Sequence, residues 1–199
     1  MIEETNAALC TLVGRSEAAL RGTPVLDLMA DAQSVQRMQL RYATVTCVAR
    51  DDLPDGGAAH LAQVIAAIRA KSPESTIEVL TSDFKGKTDS LQIVLDARPE
   101  IFNHNIETVR ELTPKVRHTA TYDKTLAVLK YASTHAPHGW MPVKSGLMVG
   151  LGETTEQVQA TLRDLKDAGC QIVTIGQYLQ PHNHKLRVKA FVTPDEFSA

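Results

Sequence analysis

The chain has 199 residues, of which 43% are hydrophobic and 22% are charged, and its formal net charge is -2. This composition predicts a folded domain with a sizeable core, and it disfavours a nucleic-acid partner because a phosphate backbone requires a basic face. The first residues are acidic where a signal peptide would be basic, and the sequence contains no apolar run long enough to span a membrane. We therefore expect a cytoplasmic protein with neither a signal peptide nor a membrane partner.

The beginning of the chain carries the weakest pattern. Residues 1–31 predict no helix or strand and are assigned to a separate N-terminal segment, whereas residues 32–199 form the predicted domain. Apolar residues at helical spacing predict a short helix over 32–40. The β-branched segment 42–48 predicts a strand that is buried on both faces.

Strands then alternate with helices. Further predicted strands cover residues 76–80, 100–102, 143–149 and 172–175. Predicted helices cover 59–70, the segment around 91–95, 121–132 and the segment 158–165 before Gly169. This alternation predicts right-handed βαβ units and a five-stranded parallel sheet, either barrel-like or doubly wound.

The stretch KSGLMVGLGETT, at 144–155, joins the strand at 143–149 to a helix. Gly146 and Gly150 have no β-carbon, so the backbone there can pack against a flat ligand at the end of a strand. Gly152 suits the positive φ of a tight turn, and Thr154 or Thr155 suits the N-cap of the next helix. The alternative is that these residues serve only to connect a strand to a helix.

Polar residues follow each predicted strand. They are Arg50, Asp51, Asp52, Asp83, Asn103, His104, Asn105, Glu107, Lys144, Ser145, Gln177, Tyr178 and Gln180. Carboxyl ends of parallel strands share one edge of a sheet, so these side chains are expected at one mouth if the sheet curls into a barrel.

Five histidines and cations have more specific expectations. His104, between two asparagines, is predicted to be a hydrogen-bonded structural residue rather than a base. His182 and His184 lie on a loop without a carboxylate partner, which is typical of solvated surface. Arg117 and Lys144 are the favoured contacts for an anion.

The segments RYATVTCVARDDLPDGGA, IEVLTSDFKGK, IFNHNIETV, VKSGLMVGLGETTEQV, TIGQYLQPHNHKL and FVTPDEF together resemble the lipoyl synthases, which are radical S-adenosylmethionine enzymes. The resemblance covers about residues 32–197. GLMVGLGE also fits the wider pattern G-x-I-x-G-x-x-E, with Met148 in place of isoleucine. The resemblance implies an α/β fold, a partial (βα)6 TIM-like barrel, here without the first strand and its cysteine loop.

The resemblance also implies a reaction and its cofactors. Lipoyl synthases insert two sulfur atoms, at carbons 6 and 8, into an octanoyl group carried by a lipoyl carrier domain, using S-adenosylmethionine and two [4Fe-4S] clusters. The implied cofactor-binding residues are Asn103, Asn105, Glu107, Lys144, Ser145, Gly146, Gly150 and Gln177. The implied substrate-binding residues are Arg50, Asp51, Tyr178 and Gln180. No catalytic residue and no metal ligand is assigned.

The sequence departs from the family at its cluster ligands. The family binds the first cluster through C-x3-C-x2-C, but Cys10 is the only cysteine ahead of the match, and Glu3 and Ala7 would occupy the other two positions. The cysteines and the RSSY string that bind the auxiliary cluster are also absent from this sequence. Cys47 and Cys170 are predicted to pack as small hydrophobic residues. We therefore expect sulfur insertion by this chain to be incomplete or inactive.

The sequence leaves two alternative functions open. One is a cluster-free module that binds S-adenosylmethionine or an octanoylated carrier domain. The other is an unrelated barrel enzyme that holds phosphate at GLGET, although a phosphate loop of that kind uses a lysine that this segment lacks.

Overall fold

The computed structural model describes residues 38–117, 119–136 and 141–198. The segment 1–31 and the greater part of the helix predicted over 32–40 lie outside the described residues. Met38 and Gln39 form a turn, and Gln39 has a φ of 49°, so the described end of that prediction is not helical.

Five parallel strands form one sheet, which confirms the predicted number and direction. They are β1 (Tyr42–Thr46), β2 (Thr76–Leu80), β3 (Ile101–Asn103), β4 (Val143–Val149) and β5 (Ile172–Gln177), and their spatial order is their chain order. Right-handed crossovers between successive strands place the connecting helices on one face. The fold is a partial TIM-like barrel, open within the described residues because β1 and β5 do not pair with each other.

The helices occupy most of the connections between the strands. They are α1 (Ala58–Lys71), α2 (Thr88–Asp96), α3 (Thr113–Val116), α4 (Tyr122–His135), α5 (Thr155–Asp167) and α6 (Pro194–Ser198), with a 3-10 turn at Phe84–Gly86. The three longer helices that were predicted from 59–70, 121–132 and 158–165 are present. The short α3, α6 and 3-10 turn were not predicted, because each is too brief to carry a helical repeat of apolar residues. Within the described residues, no helix combines the length and the apolarity needed to cross a membrane.

The hydrophobic core lies between the sheet and the helices. Ile77, Phe102 and Val143 project from the sheet into this layer and are 0% exposed, and Ile65 of α1 and Leu129 of α4 meet them from the helices. Burying side chains of this size stabilises the fold by about 1.5–3 kcal/mol each.

The prediction that the first strand is buried on both faces is wrong. In β1, Ala43 and Val45 are buried, whereas Tyr42, Thr44 and Thr46 are exposed. The alternation arises because only one face of the sheet packs on helices. Threonine at every second position is consistent with that half-buried pattern.

The turn between β4 and α5 follows the sequence prediction closely. Gly152 has a φ of 107° and Gly150 a φ of 97°, so both glycines adopt the left-handed conformation. Thr154 is the N-cap of α5, and it forms a capping box with Gln157. The Glu153 carboxylate closes the turn by accepting hydrogen bonds from the N–H groups of Gly150 and Leu151.

Candidate functional site

The face of the sheet opposite the helices is called here the inner face. The register places these residues on it: Tyr42, Thr44, Thr46, Thr76, Glu78, Leu80, Ile101, Asn103, Lys144, Gly146, Met148, Ile172, Thr174 and Gly176. The set is mainly polar or small, in contrast to the apolar opposite face. Along each strand, residues on the apolar helix-facing side alternate with polar or small residues on the inner face. This alternation indicates a lumen that contacts water or a ligand.

The floor of the inner face is a hydrogen-bonded cluster around Glu78. Lys144 Nζ lies 2.9 Å from Glu78 Oε2 and 3.0 Å from Oε1, and Asn103 Nδ2 donates to Oε1 at 2.7 Å. The Tyr42 hydroxyl donates to Oε2 as well. Glu78 is only 1% exposed, so the cluster supplies the partners that a buried carboxylate requires.

The charges of this floor are fixed at neutral pH. Burial acts to raise the pKa of Glu78, but hydrogen bonds from Tyr42, Lys144 and Asn103 outweigh it, and the pKa is lowered from its usual range. Burial, together with the hydrogen bond to Glu78, raises the pKa of Tyr42 to about 12. Glu78 is therefore ionised and Tyr42 is neutral.

Above the floor, the inner face presents unengaged polar groups beside two glycines. No hydrogen bond within the described residues reaches the Asn105 carboxamide, and the buried Asn103 Oδ1 also lacks a partner there. A β-carbon at Gly146 would lie 2.9 Å from both Asn105 Oδ1 and Thr174 Oγ1, whereas one at Gly176 would meet nothing within 4 Å. This surface offers acceptors, a hydroxyl and a flat patch of backbone, which suit a nucleoside.

The segment after β3 is shaped by an extra residue. Asn103 pairs with Lys144, but Glu107 forms a bridge with Leu147, so the β3 side contains one residue more than the β4 side. Glu107 takes a φ of 69°, its N–H donates to the Gly146 carbonyl at 2.9 Å, and its carbonyl accepts from Met148 at 2.8 Å. Such a bulge redirects side chains next to sites.

His104 and Arg117 hold this bulged segment from behind. The His104 ring lies 2.9 Å from the Thr81 carbonyl through Nδ1 and 3.5 Å from Thr125 Oγ1 through Nε2. Burial lowers the pKa of His104 to about 4, so the ring is neutral, as the prediction of a structural histidine requires. Arg117 donates to the backbone carbonyl of Asn105 at 2.7 Å, so this contact does not involve the Asn105 side chain.

The carboxyl edge of the sheet opens into a cleft of about 610 Å³, called here the mouth cleft. Its lining includes Ala49, Asp51, Ser82, Asp83, Arg117 and Lys124, which come from the segments after β1, β2 and β3. Of the residues that were expected at one mouth, Asp51 and Asp83 line this cleft, from the segments after β1 and β2. Arg50 is not among the residues that line this cleft, and it forms a bidentate pair with Asp52, at 2.8 and 2.7 Å.

Residues 178–192, called here the strap, cross the carboxyl end of β4. Gln177 holds the strap, since its Nε2 donates to the Ala190 carbonyl at 3.1 Å and its Oε1 accepts from Val192 N–H at 2.8 Å. Lys189 N–H donates to the Gly150 carbonyl at 2.8 Å. The Tyr178 hydroxyl and the Gln180 carboxamide donate to backbone carbonyls inside the strap.

These contacts contradict part of the predicted site. Ser145 is 0% exposed on the helix-facing side, where its hydroxyl accepts from Ile106 N–H at 3.1 Å. Both the nitrogen and the oxygen of the Gln177 carboxamide are hydrogen-bonded to the strap. The expectation that the missing β-carbon of Gly150 leaves room for a flat ligand is wrong, because the Gln177 carboxamide and the Ala190 carbonyl occupy that space.

The described cysteines do not form a cluster site. Cys47 follows β1 at the carboxyl edge of the sheet, whereas Cys170 precedes β5 at the opposite edge. Burial raises the pKa of Cys47, and it raises that of Cys170 to about 12, so neither is a thiolate at neutral pH. Within residues 38–117, 119–136 and 141–198, no group of three or more His, Cys, Asp or Glu side chains could hold a metal ion.

Comparison with known proteins identifies the family. Residues 17–165 match the family described as the radical SAM superfamily, which is more than half of the chain. The chain belongs to the radical SAM superfamily. Within that superfamily, it is 61% identical over 166 residues to a lipoyl synthase of Protochlamydia amoebophila, covering 83% of this chain and 51% of the relative. A lipoyl synthase of Shouchella clausii is 51% identical over 194 residues, covering 96% of this chain and 62% of the relative.

The chain therefore spans roughly half to two thirds of the length of these curated relatives. Among solved structures, the HMG-CoA lyase from Brucella melitensis matches with a TM-score of 0.55 and 16% identity, covering 82% of this chain and 57% of that one. That likeness concerns the fold alone.

Some inner-face residues of this radical SAM chain were missed by the sequence analysis. Glu78 gave a usable signal, because a carboxylate inside the otherwise apolar strand TIEVL must have a buried partner. Tyr42 and Thr174 gave none, since tyrosine and threonine are ordinary strand residues. The last strand was predicted to end at residue 175, so Gly176 was not assigned to it.

Proposed function

We propose that this chain binds S-adenosylmethionine on its inner face and forms part of a lipoyl synthase, which inserts two sulfur atoms into a protein-bound octanoyl group. The observation that carries the proposal is the 61% identity over 166 residues with a protein named lipoyl synthase. Its physical support is the pairing of unengaged polar groups with glycines at the carboxyl end of a parallel sheet, where ligands bind in folds of this kind.

The residues proposed to hold S-adenosylmethionine are those left open around Gly146. The Asn105 carboxamide and the Thr174 hydroxyl suit ribose hydroxyls, and Gly176 leaves room for a flat base. Asn103 remains a proposed contact, but its Oδ1 is buried without a partner among the described residues, so a ligand reaches it only if this oxygen becomes accessible. In the superfamily, bound S-adenosylmethionine supplies the radical chemistry. Lys144 is paired with Glu78. Its proposed role is therefore to hold the cluster that includes Asn103 in place, rather than to bind the carboxylate of the ligand on its own.

The proposed partner is an octanoylated lipoyl carrier domain that approaches the mouth cleft. Asp51 lines this cleft and Arg50 precedes it in the chain, and both remain proposed contacts for that partner. Tyr178 and Gln180 are proposed to act by shaping the strap, since both side chains are engaged within it. Glu107 is half-buried and remains a proposed cofactor contact. A cytoplasmic location stays a prediction.

A second candidate is a cluster-free module that binds S-adenosylmethionine or the carrier domain. It is favoured by the two described cysteines, which lie at opposite edges of the sheet and have raised pKa values. Translating the genomic DNA on both sides of the coding segment in every frame separates the two. C-x3-C-x2-C triplets favour a cluster-bearing lipoyl synthase, and their absence favours the module.

Calorimetric titration with 5'-deoxyadenosine tests the cofactor site, because this nucleoside needs only the base and ribose contacts. We expect saturable binding by the parent chain at millimolar nucleoside. Gly176→Val should weaken it by more than about tenfold and leave the melting temperature almost unchanged, because the added side chain enters open space on the inner face. Gly86→Ala is the control for affinity, because the added carbon also has open space around it but lies outside the inner face; its melting temperature is not compared, since Gly86 has a φ of 75°. No saturable binding by the parent, or equal binding by Gly176→Val, would overturn the proposed site.

A further inference from the structure

We propose that the strap and the neighbouring helix α3 form a basic docking surface for an acidic protein partner. This inference rests on the proposed function, since it assigns the surface by which the carrier domain reaches the mouth. The surface is defined by Lys115 of α3 and by Lys185, Arg187 and Lys189 of the strap, all of them exposed. None of the four forms an ion pair within the described residues.

The local charge is opposite to that of the whole chain. The chain carries a net charge of -2, yet no aspartate or glutamate occurs between Asp167 and Asp195 in the sequence. The strap lies inside this acid-free interval. Unpaired cations held together repel one another, so their concentration on one exposed segment of an acidic chain favours a partner of opposite charge.

A shallow cleft of about 320 Å³ lies between α3 and the strap, and its composition fits a protein partner. Its lining includes the cationic residues Lys115, Arg187 and Lys189 and the apolar residues Leu112, Leu151 and Leu186, with no acidic residue. An apolar centre with a charged rim is the usual anatomy of a protein interface.

Exposed apolar side chains on the strap extend this interface. Leu179 is 66% exposed, Phe191 is 71% exposed and Leu186 is 40% exposed. Phenylalanine and arginine are enriched at protein–protein interfaces, whereas leucine is under-represented among their hot spots, so Phe191 and Arg187 are the expected anchors. A site for a small free anion is less well matched, because the cationic side chains all lie exposed rather than converging in a buried pocket.

The position of the strap explains how docking would serve the site. Lys189 N–H donates to the Gly150 carbonyl at 2.8 Å, and the aliphatic part of Lys189 lies 3.5 Å from where a β-carbon of Gly152 would be. The basic surface thus borders the turn at the carboxyl end of β4. An acidic domain bound there would bring a modified side chain on its surface to the edge that opens onto the inner face.

The test measures binding of the 199-residue chain to an octanoylated lipoyl carrier domain with an acidic surface, and to the same domain without the octanoyl group. We expect both forms to bind, with affinity that falls steeply between low and physiological salt. Arg187→Glu combined with Lys189→Glu should weaken binding by about tenfold or more, and Lys115→Glu alone should weaken it by about threefold.

Matched controls are Lys71→Glu and Lys166→Glu, which reverse exposed cations at the ends of α1 and α5, near the opposite edge of the sheet. These variants should bind like the parent. Equal affinity of the strap variants and the parent, or equal weakening by the controls, would overturn the docking surface. Binding to anionic phospholipid vesicles in place of the domain, or full competition by free octanoate, would also overturn it.

The outcome is separable from that of the proposed function. If the domain binds through these cations but 5'-deoxyadenosine does not bind, the docking surface stands and the cofactor site falls. If the nucleoside binds but charge reversal on the strap has no effect, the cofactor site stands and the docking surface falls. Circular dichroism of each variant confirms that the fold is retained, and the separate Lys115→Glu variant preserves the test if the strap pair misfolds.

Discussion

Lys144 of β4 lies 2.9 Å from Glu78 of β2, and this ion pair spans β3, which separates the two strands in the sheet. Asn103 of β3 donates to the same carboxylate, so three consecutive strands are joined on the inner face. The side chains of Lys144 and Glu78 are 20% and 2% exposed, respectively. Water therefore has little access to replace either partner if the other is removed.

The first prediction concerns this pair. Lys144→Met leaves the buried Glu78 without its cation and should lower the free energy of unfolding by about 3–5 kcal/mol. The double variant Lys144→Met with Glu78→Gln should recover a large part of that loss, because no unpaired charge remains. Urea denaturation at pH 7 measures both, with Lys166→Met on exposed α5 as the control. A loss for Lys144→Met no larger than that of the control would contradict a buried pair.

The second prediction concerns pH. Because burial lowers the pKa of His104 to about 4, the histidine contributes stability above its unfolded pKa of about 6.5, and this stability is lost as pH falls towards 4. Lowering the pH from 6.5 to 5 should cost roughly 2 kcal/mol from this group. Glu78, whose pKa is also lowered, adds a further loss at more acidic pH.

The variant His104→Gln isolates the histidine. Its amide can donate to the Thr81 carbonyl as the imidazole does, but it does not titrate. Urea midpoints of the parent should fall between pH 6.5 and 5, whereas those of His104→Gln should change much less. Parallel curves for the two proteins would show that His104 is not the titrating group.

The third prediction concerns the glycine at the end of β4. Gly150→Ala adds a β-carbon that overlaps the Gln177 carboxamide and the Ala190 carbonyl, at a φ of 97°. Gly86→Ala has a φ of 75° but no atom within 4 Å of the added carbon, so it carries only the backbone cost of about 1–2 kcal/mol. Gly150→Ala should be more destabilising by at least about 1 kcal/mol in thermal melts, since the strap must move. Equal losses would argue against the packed strap.

The sequence predicted the strands, their parallel direction and the turn after β4, because each depends on local patterns such as β-branched runs, glycines and a capping threonine. The side to which a side chain points was harder to predict. Ser145 and Lys144 are adjacent in β4, yet Ser145 faces the helices and Lys144 faces the inner face. Their place in the chain therefore could not show which of them lies on the side of the proposed ligand. Gln177 was misassigned because its partners, Ala190 and Val192, lie in a strap without regular structure.

The fourth prediction concerns the thiols. Reconstitution of the 199-residue chain with iron and sulfide should yield no stable [4Fe-4S] cluster, because Cys47 and Cys170 lie at opposite edges of the sheet with raised pKa values. Cys10 alone cannot provide three thiolates. Mössbauer spectroscopy gives the cluster content directly. About one intact cluster per chain would contradict the prediction, and Cys10→Ala would then show whether the N-terminal segment contributes.

The last prediction separates ligand contacts from structural ones within the predicted site. Asn105→Ala removes a carboxamide that has no partner among the described residues, so the free energy of unfolding should change by no more than about 0.5 kcal/mol. Its affinity for 5'-deoxyadenosine should fall by about tenfold, the equivalent of about 1.4 kcal/mol, because a hydrogen bond to the ribose is lost.

Ser145→Ala is the matched variant from the opposite face of the same region. It leaves the buried Ile106 N–H without its acceptor and should cost about 1–3 kcal/mol of stability, while affinity for the nucleoside stays within about twofold. Calorimetric titration beside urea denaturation of both variants measures the two effects together. If Asn105→Ala destabilises the fold and Ser145→Ala weakens binding instead, the assignment of the inner face is reversed, because the side chain that contacts ligand must be the one whose loss changes affinity alone.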